Sequence, residues 1–332
     1  MRKISFVVGK DYQANKIFDL TNMSLNRDNC LKPFFLLKEE FKKKGYDLIT
    51  SDLLSTDDAD LVLYNEMPKP FPSQIVKEKS YLMLFETELI RPDNWLLPQH
   101  QKFKKIFTWH DKFVDEKTYF KFNFPNDIQT TPPGKFLRNK LLTSISGNKT
   151  SHHPLELYSK RLETIKWLEK FHPESFDYFG MGWNYRFDLW WQKVFRKLRV
   201  LKFFPVNRSI SYKGIVNEKL TVLRNYKFAL CYENGRDIDG YITEKIWDCF
   251  FAGTIPIYWG AGNISKYIPE NCYIDRTKFK NHEELYQYLI LMTDQEIFEY
   301  QTRIEDFLKS GRANPFSNEF FASTIVNGLI HE

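Results

Sequence analysis

The chain has 332 residues, 42% of them hydrophobic, so it is long and apolar enough to form two globular domains, each with its own core. Its 48 lysines and arginines against 42 aspartates and glutamates give a net charge of +6, which predicts only weak attraction to phosphate or anionic lipid and does not indicate a nucleic-acid partner. The four cysteines are widely spaced, without the pattern of a zinc site or a disulfide framework.

The sequence opens with MRKISFVVGK, whose apolar run is shorter than a signal peptide or a membrane anchor requires. No run of eighteen apolar residues follows it. We therefore expect a cytoplasmic protein.

The first part of the chain alternates between strand and helix patterns. Strands are predicted over residues 4–8, 46–50, 61–64, 81–85 and 105–110, and a helix over residues 33–44. Residues 118–131 are aromatic and then polar and proline-rich, which is typical of the approach to a linker. Pro132, Pro133 and Gly134 then predict a domain boundary, so residues 1–135 are expected to form an N-terminal domain.

Two acids, Glu86 and Glu88, follow the buried strand predicted over residues 81–85. They fall at the carboxyl edge of a parallel sheet, where ligands bind in this class of fold, and Pro92 stops the strand from continuing. A carboxylate at such an edge can take a proton from a hydroxyl group as that group attacks. The alternative is that both are surface acids paired with Arg91.

The second part of the chain again predicts alternating strands and helices. Strands are expected over residues 140–146 and 176–182, with a helix over residues 156–171 between them. Residues 189–204 (LWWQKVFRKLRVLKFF) combine aromatic and basic side chains. They predict either an ordinary surface helix or an amphipathic helix that lies on an anionic membrane.

The stretch of residues 226–273 is the most informative part of the sequence. Residues 228–232 predict a buried strand, Thr243 an N-cap, Gly253 the end of the helix, and residues 254–259 the next parallel strand. The polar loop between the first strand and the helix therefore lies where a ligand would bind.

Glu244 and Lys245 fall in the first turn of that helix. Free backbone N–H groups and the helix dipole favour an anion there, and Lys245 adds a full positive charge, which suits a diphosphate. The alternative is that Glu244 only complements the dipole and that Lys245 is solvated.

The segments KFALCYEN, GYITEKIWDCFFAGTIPIYWG and YIPENCYID resemble the donor-binding region of the α-1,3/4-fucosyltransferases. This resemblance implies an α/β fold with two Rossmann-like domains facing across a cleft, the GT-B architecture. Residues 1–135 would bind the acceptor and residues 136–310 the GDP-sugar, while residues 311–332 would form a C-terminal helix that crosses back to the first domain.

The resemblance also implies an inverting transfer of L-fucose from GDP-fucose to a hydroxyl group of an acceptor glycan, in α-1,3 or α-1,4 linkage. Protein cations would replace a metal, so no cofactor is expected. Members of the family in the Golgi carry an N-terminal anchor, and its absence at the start of this sequence favours the bacterial type or a viral relative. Peripheral association with an anionic membrane stays an open expectation.

Family contacts with the nucleotide sugar map onto matching positions of this chain. They are Arg161, Asn234, Tyr241, Glu244 and Lys245. The family's catalytic base maps onto Glu86 when the preceding aromatic residue is aligned, and onto Glu88 when the alignment starts from Arg91 and Pro92. We favour Glu86.

Three other interpretations stay open at this point. Asp237 and Asp239 could form a DxD loop that holds Mn²⁺ or Mg²⁺ on a diphosphate, as in GT-A enzymes. The donor could be another nucleotide sugar. The protein could also bind a nucleotide or a carbohydrate without catalysing a reaction.

Overall fold

The computed structural model describes residues 1–69, 71–72, 74–130, 138–183 and 209–330. Its N-terminal half contains a parallel sheet in the order β2-β1-β3-β4-β5-β6. The elements of this half are β1 (Arg2–Val7), α1 (Lys32–Lys43), β2 (Tyr46–Thr50), β3 (Leu61–Asn65), β4 (Ser80–Leu84), α2 (Leu97–His100), β5 (Lys105–Thr108) and β6 (Tyr119–Lys121). All five residues of β4 are buried, as expected for a central strand covered on both faces.

Strand β6 corrects one expectation for this half. Tyr119 and Phe120 lie in the region that the sequence predicts to be the approach to a linker, yet they pair with Ile106 and Phe107 of β5. Their aromatic side chains suit a sheet edge, and the neighbouring strand supplies the hydrogen bonds. Strand β5 itself ends at Thr108, two residues earlier than predicted.

The C-terminal half contains a second parallel sheet, in the order β11-β10-β9-β7-β8. Its elements are β7 (Lys140–Ile145), α3 (Tyr158–Phe171), β8 (Phe176–Phe179), α4 (Lys219–Leu223), β9 (Tyr226–Tyr232), α5 (Glu244–Ala252), β10 (Ile255–Trp259), β11 (Ile274–Asp275), α6 (His282–Leu291) and α7 (Asp294–Lys309). Two parallel sheets in one chain confirm the predicted α/β class with two Rossmann-like domains.

The ends of α5 agree with the sequence in position. Gly253 follows the helix in the left-handed conformation, with φ of 66°, which a glycine adopts without strain. Thr243 lies at the N-cap, but its side chain accepts no hydrogen bond from the helix backbone. The expected side-chain cap is therefore wrong, and the hydroxyl group has another partner.

The last helix, α8 (Asn318–Ile330), lies on the N-terminal domain. Phe321 and Ile325 belong to the same buried cluster as Phe6 of β1, and Lys105 of β5 donates a hydrogen bond to the carbonyl oxygen of Gly328 at 2.9 Å. The chain thus returns to its first domain after the second is complete.

Two sequence expectations fall outside the described residues: the boundary near residue 135 and the basic segment 189–204. Among the helices that the structure describes, none combines the length and the apolar character needed to cross a bilayer.

Candidate active site

The carboxyl edges of the two sheets meet at the interface between the domains. The backbone N–H of Asp111, just after β5, donates to the carbonyl oxygen of Asp239 in the loop that follows β9, at 3.2 Å. We call this loop, residues 233–241, the β9 loop. Its last residue, Tyr241, packs its ring 4.9 Å from that of Trp109. The two edges therefore form one site.

Lys245 lies in the first turn of α5 and is held in place by neighbouring oxygens. Its ammonium donates to Oε2 of Glu233 at 3.1 Å and to Oγ1 of Thr243 at 2.9 Å. The Glu233 side chain has no exposed surface, and it also accepts from the backbone N–H and the hydroxyl group of Thr243, at 2.9 and 2.7 Å. The sequence predicts Glu233 only as a turn residue, whereas the structure makes it the anchor of Lys245.

The charges around Lys245 are strongly coupled. Burial alone would lower its pKa, but the carboxylates of Glu233 and Glu244 outweigh burial and raise it. Partial burial would raise the pKa of Glu244, whose side chain is 50% exposed, but Lys245 and Lys219 outweigh it and hold that pKa at about 2. Lys245 is therefore a permanent cation, and about a quarter of its side chain is open to solvent.

The charge of this cation acts on Glu86 of the other domain. Its side chain is partly buried, and no hydrogen bond to its carboxylate is found within the described part of the chain. Burial raises the pKa of Glu86, the charge of Lys245 opposes that rise, and Glu244 adds to it. Glu88 is exposed at the rim. The structure thus places Glu86 among the charges of the site and Glu88 at an exposed position.

Glu66 supports the turn that carries Glu86, a role that was not predicted from the sequence. Its carboxyl group accepts from the backbone N–H of Phe85 at 3.2 Å and from that of Glu86 at 2.8 Å, and it also bonds the Asn94 side chain. Burial raises the pKa of Glu66 to about 8. A sequence signal existed, since Glu66 directly follows β3 at the same sheet edge.

Arg161 lies beneath the site. Its guanidinium donates to the carbonyl oxygens of Tyr232 and Glu233, at 2.6 and 2.9 Å, and it is buried, which lowers its pKa. The group therefore braces the carboxyl end of β9. Its charge also acts on Tyr158, the first residue of α3, whose side chain is 7% exposed. The charges of Lys245 and Glu86 reach that phenol too, so Tyr158 borders the site, which the sequence did not reveal.

Asn234 and Tyr241 occupy opposite ends of the β9 loop and contact each other. The Asn234 amide donates to the Tyr241 hydroxyl group at 3.3 Å. The Tyr241 ring is buried against Trp109 and Phe124 of the first domain. Burial raises the pKa of Tyr241 well above its usual value. The loop therefore joins the site to the domain interface.

Asp237 and Asp239 are not part of a metal-binding group in the described part of the chain. Asp237 forms an ion pair with Arg236 at 2.6 Å. Within the described ranges, no group of three or more histidine, cysteine, aspartate or glutamate side chains is arranged to hold a metal ion.

Comparison with known proteins finds similarity to fucosyltransferases. Residues 189–305, about a third of the chain, match the family model described as glycosyltransferase family 10 (fucosyltransferase) C-term. An α-(1,3)-fucosyltransferase of Helicobacter pylori is 39% identical over 84 residues, which cover 25% of this chain and 17% of the relative. An α-(1,3)-fucosyltransferase of Drosophila melanogaster is 35% identical over 115 residues, which cover 34% of this chain and 25% of the relative. These matches confirm the resemblance to the α-1,3/4-fucosyltransferases, although each spans a quarter or less of the relative's length.

Solved structures show the fold over the whole chain. A crystal structure of an α1,3-fucosyltransferase with GDP superposes with a TM-score of 0.56 at 17% identity, and the match covers 100% of this chain and 91% of that one. Anabaena HepE in complex with UDP and glucose superposes with a TM-score of 0.56 at 10% identity, with 99% of each chain covered. The GT-B fold expected from the sequence is therefore confirmed.

Proposed function

We propose that the protein is an inverting fucosyltransferase, which moves L-fucose from GDP-fucose to a hydroxyl group of an acceptor glycan in α-1,3 or α-1,4 linkage. The observation that carries the proposal is Lys245 at the N-terminus of α5, anchored by the buried carboxylate of Glu233, with its charge acting on Glu86 of the other domain. The match of residues 189–305 to the fucosyltransferase family model supports the choice of sugar.

Glu86 is the proposed general base. The acceptor oxygen forms a bond to the anomeric carbon of fucose from the face opposite the phosphate, and its proton moves to the Glu86 carboxylate. A positioned base contributes roughly two to four orders of magnitude to such a step. The raised pKa of Glu86 suits this role, because a stronger base takes the proton more readily.

Lys245 and the N-terminus of α5 are proposed to receive the leaving group. The bond between the anomeric carbon and the phosphate oxygen breaks, and its electron pair leaves with GDP. A fixed ammonium beside a helix N-terminus stabilises the negative charge that develops on that oxygen. Glu233 keeps the ammonium in place, because its carboxylate is fully buried and therefore fixed in position.

The proposed reaction needs no metal or other cofactor, because the cations of the protein carry the charge stabilisation. Transfer measured with a chelator present should equal transfer without it. A loss that Mn²⁺ or Mg²⁺ restores would instead support the role of Asp237 and Asp239 as a metal-binding loop.

A donor screen tests the proposal directly. Purified protein is offered GDP-fucose, GDP-mannose and UDP-glucose, with binding followed by thermal shift and turnover by release of the nucleotide. Of these three donors, we expect only GDP-fucose to support turnover. Turnover with UDP-glucose would show another nucleotide-sugar transferase, and GDP-fucose binding without turnover across a panel of acceptor glycans would show a non-catalytic binding protein.

A cytoplasmic location and peripheral binding to anionic membranes complete the proposal. The basic residues of segment 189–204 supply the expected electrostatic attraction. Sedimentation with phosphatidylserine vesicles checks this part, and absence of co-sedimentation at low salt would contradict it.

A further inference from the structure

Asp111 of the N-terminal domain makes a dense set of contacts with the other domain. Its carboxylate accepts from the Asn263 amide at 2.6 Å and from the Tyr267 hydroxyl group at 2.6 and 2.8 Å. Lys121, of its own domain, forms an ion pair with the same carboxylate. The position of this carboxylate is therefore set from both domains.

The contacts of Asp111 extend to the β9 loop in two ways. Its backbone N–H bonds the carbonyl oxygen of Asp239, and the amide oxygen of Asn263 accepts from the backbone N–H of Gly240 at 2.9 Å. Asn263 thus uses its N–H group on Asp111 and its oxygen on the loop. Gly240, with φ of +83°, lies so close to the Trp109 carbonyl that a side chain would not fit.

The end of the β9 loop belongs to the proposed donor site. Tyr241 follows Gly240 directly, and its hydroxyl group accepts from Asn234 at 3.3 Å. The charges of Lys245 and Glu86 both act on that hydroxyl group. A shift of Gly240 would therefore move a group that borders both halves of the site.

We propose that Asp111 is a positioning residue, which holds the β9 loop from the acceptor-side domain in the conformation that binds the GDP-sugar. The inference rests on the proposed function for its effect on the reaction. Through Asn263 and Asp239, the orientation of the first domain sets the shape of the donor site on the second. Asp111 itself acts through the loop and does not touch the reacting atoms.

The test compares Asp111→Ala with Tyr267→Phe and with the control Asp127→Asn. Tyr267→Phe removes one hydrogen bond to Asp111 without leaving Lys121 unpaired, so it stays informative if Asp111→Ala folds poorly. Asp127 pairs with Lys32, and Asp127→Asn removes one carboxylate charge without removing a contact of Asp111.

The first readout is hydrogen–deuterium exchange of residues 233–241. We expect faster exchange in Asp111→Ala and Tyr267→Phe and no change in Asp127→Asn. Equal exchange in all variants would overturn the inference. This readout needs no turnover, so it separates failure of the positioning role from failure of the proposed function, which the donor screen reports.

The second readout compares the KM for GDP-fucose with the KM for the acceptor. A hydrogen bond to a charged group typically accounts for about a tenfold effect, so Asp111→Ala should raise the KM for GDP-fucose by about tenfold and leave the KM for the acceptor unchanged. Tyr267→Phe should show a smaller change in the same direction. Unchanged donor KM with faster exchange would overturn the role in the reaction and leave Asp111 as a structural contact.

Discussion

At the scale of single residues, the site depends on where carboxylates are placed. Glu233 and Glu86 are both glutamates, yet their surroundings differ. Glu233 is fully buried against Lys245, whereas Glu86 is partly exposed and its carboxylate has no hydrogen-bond partner in the described part of the chain. A buried paired carboxylate positions a cation, and an unpaired one with a raised pKa can take up a proton. The two glutamates therefore have different proposed roles.

The substitution Glu86→Gln tests the base. It should lower kcat by roughly two to four orders of magnitude while GDP-fucose binding changes little, because the base acts on the acceptor. Glu88→Gln is the control and should stay near wild type, since Glu88 is exposed. An inactive Glu88 variant beside an active Glu86 variant would move the base to Glu88.

The pH dependence of kcat/KM follows from the same carboxylate. Glu86 works only when deprotonated. Because burial raises its pKa, the pH at which activity is lost lies above the usual range for a glutamate. The charges that act on it are those of Lys245, Glu244, Lys149 and Arg91. We expect activity to fall as pH falls through this raised pKa. An acid limb at the ordinary glutamate pKa would contradict the expectation.

Lys245→Ala tests the leaving-group cation. It should lower kcat on the order of a hundredfold, about 3 kcal/mol, if the ammonium meets charge that develops on the phosphate. Lys227→Ala is a matched control, since the two side chains are 25% and 24% exposed and Lys227 lies at the opposite end of β9. Thermal unfolding measured in parallel reports the cost of leaving Glu233 unpaired. Wild-type turnover would remove Lys245 from the mechanism.

At the scale of elements, the site depends on close packing between β10 and the end of β9. Gly260 directly follows β10, and a Cβ there would lie 2.5 Å from Cγ of Glu233 and 2.7 Å from the Tyr258 ring. No Cβ fits at these distances, so the backbone of Gly260 allows Glu233 to reach Lys245.

Gly260→Ala should therefore displace Glu233 and destabilise the protein by about 1–3 kcal/mol, with a loss of turnover as Lys245 loses its anchor. Gly262→Ala, two residues later, is the control, because the nearest atom to its Cβ would lie 3.7 Å away, an ordinary contact. Chemical denaturation of both variants checks the prediction. Equal stability of the two would show that the segment relaxes easily.

At the scale of the whole molecule, the two ends of the chain share one core. Helix α8 packs against α1 of the N-terminal domain although nearly the entire chain separates them. The Phe321 ring lies 5.7 Å from that of Phe85, which directly precedes Glu86. The C-terminal helix therefore supports the turn that carries the proposed base.

Phe321→Ala should destabilise the protein by about 3–5 kcal/mol, because it leaves a cavity among Phe34, Phe85 and Phe122. Phe320→Ala is the control, since Phe320 itself is 45% exposed. Denaturant-induced unfolding of both variants, monitored through a spectroscopic signal of the N-terminal domain, checks the difference in stability. Similar stability would mean that α8 contributes little to that core.

The sequence by itself determined the local elements and half of the site. Periodicity and capping residues placed α5, β9 and β10 within two residues, because these signals depend on neighbours along the chain. The same reasoning put Lys245 at a helix N-terminus and Glu86 at a sheet edge.

Only the tertiary structure decided which side chains meet. Glu233 and Asp111 carry no distinctive local pattern, and Glu66 has only its place after β3. Their roles depend on partners that folding brings together, and Asp111 and Asn263, for example, lie 152 positions apart in the sequence. Arg161 matched by position, yet its burial under β9 depends on how α3 packs on the sheet. Burial and long-range contact set these charges and hydrogen bonds, and both are properties of the packed domains.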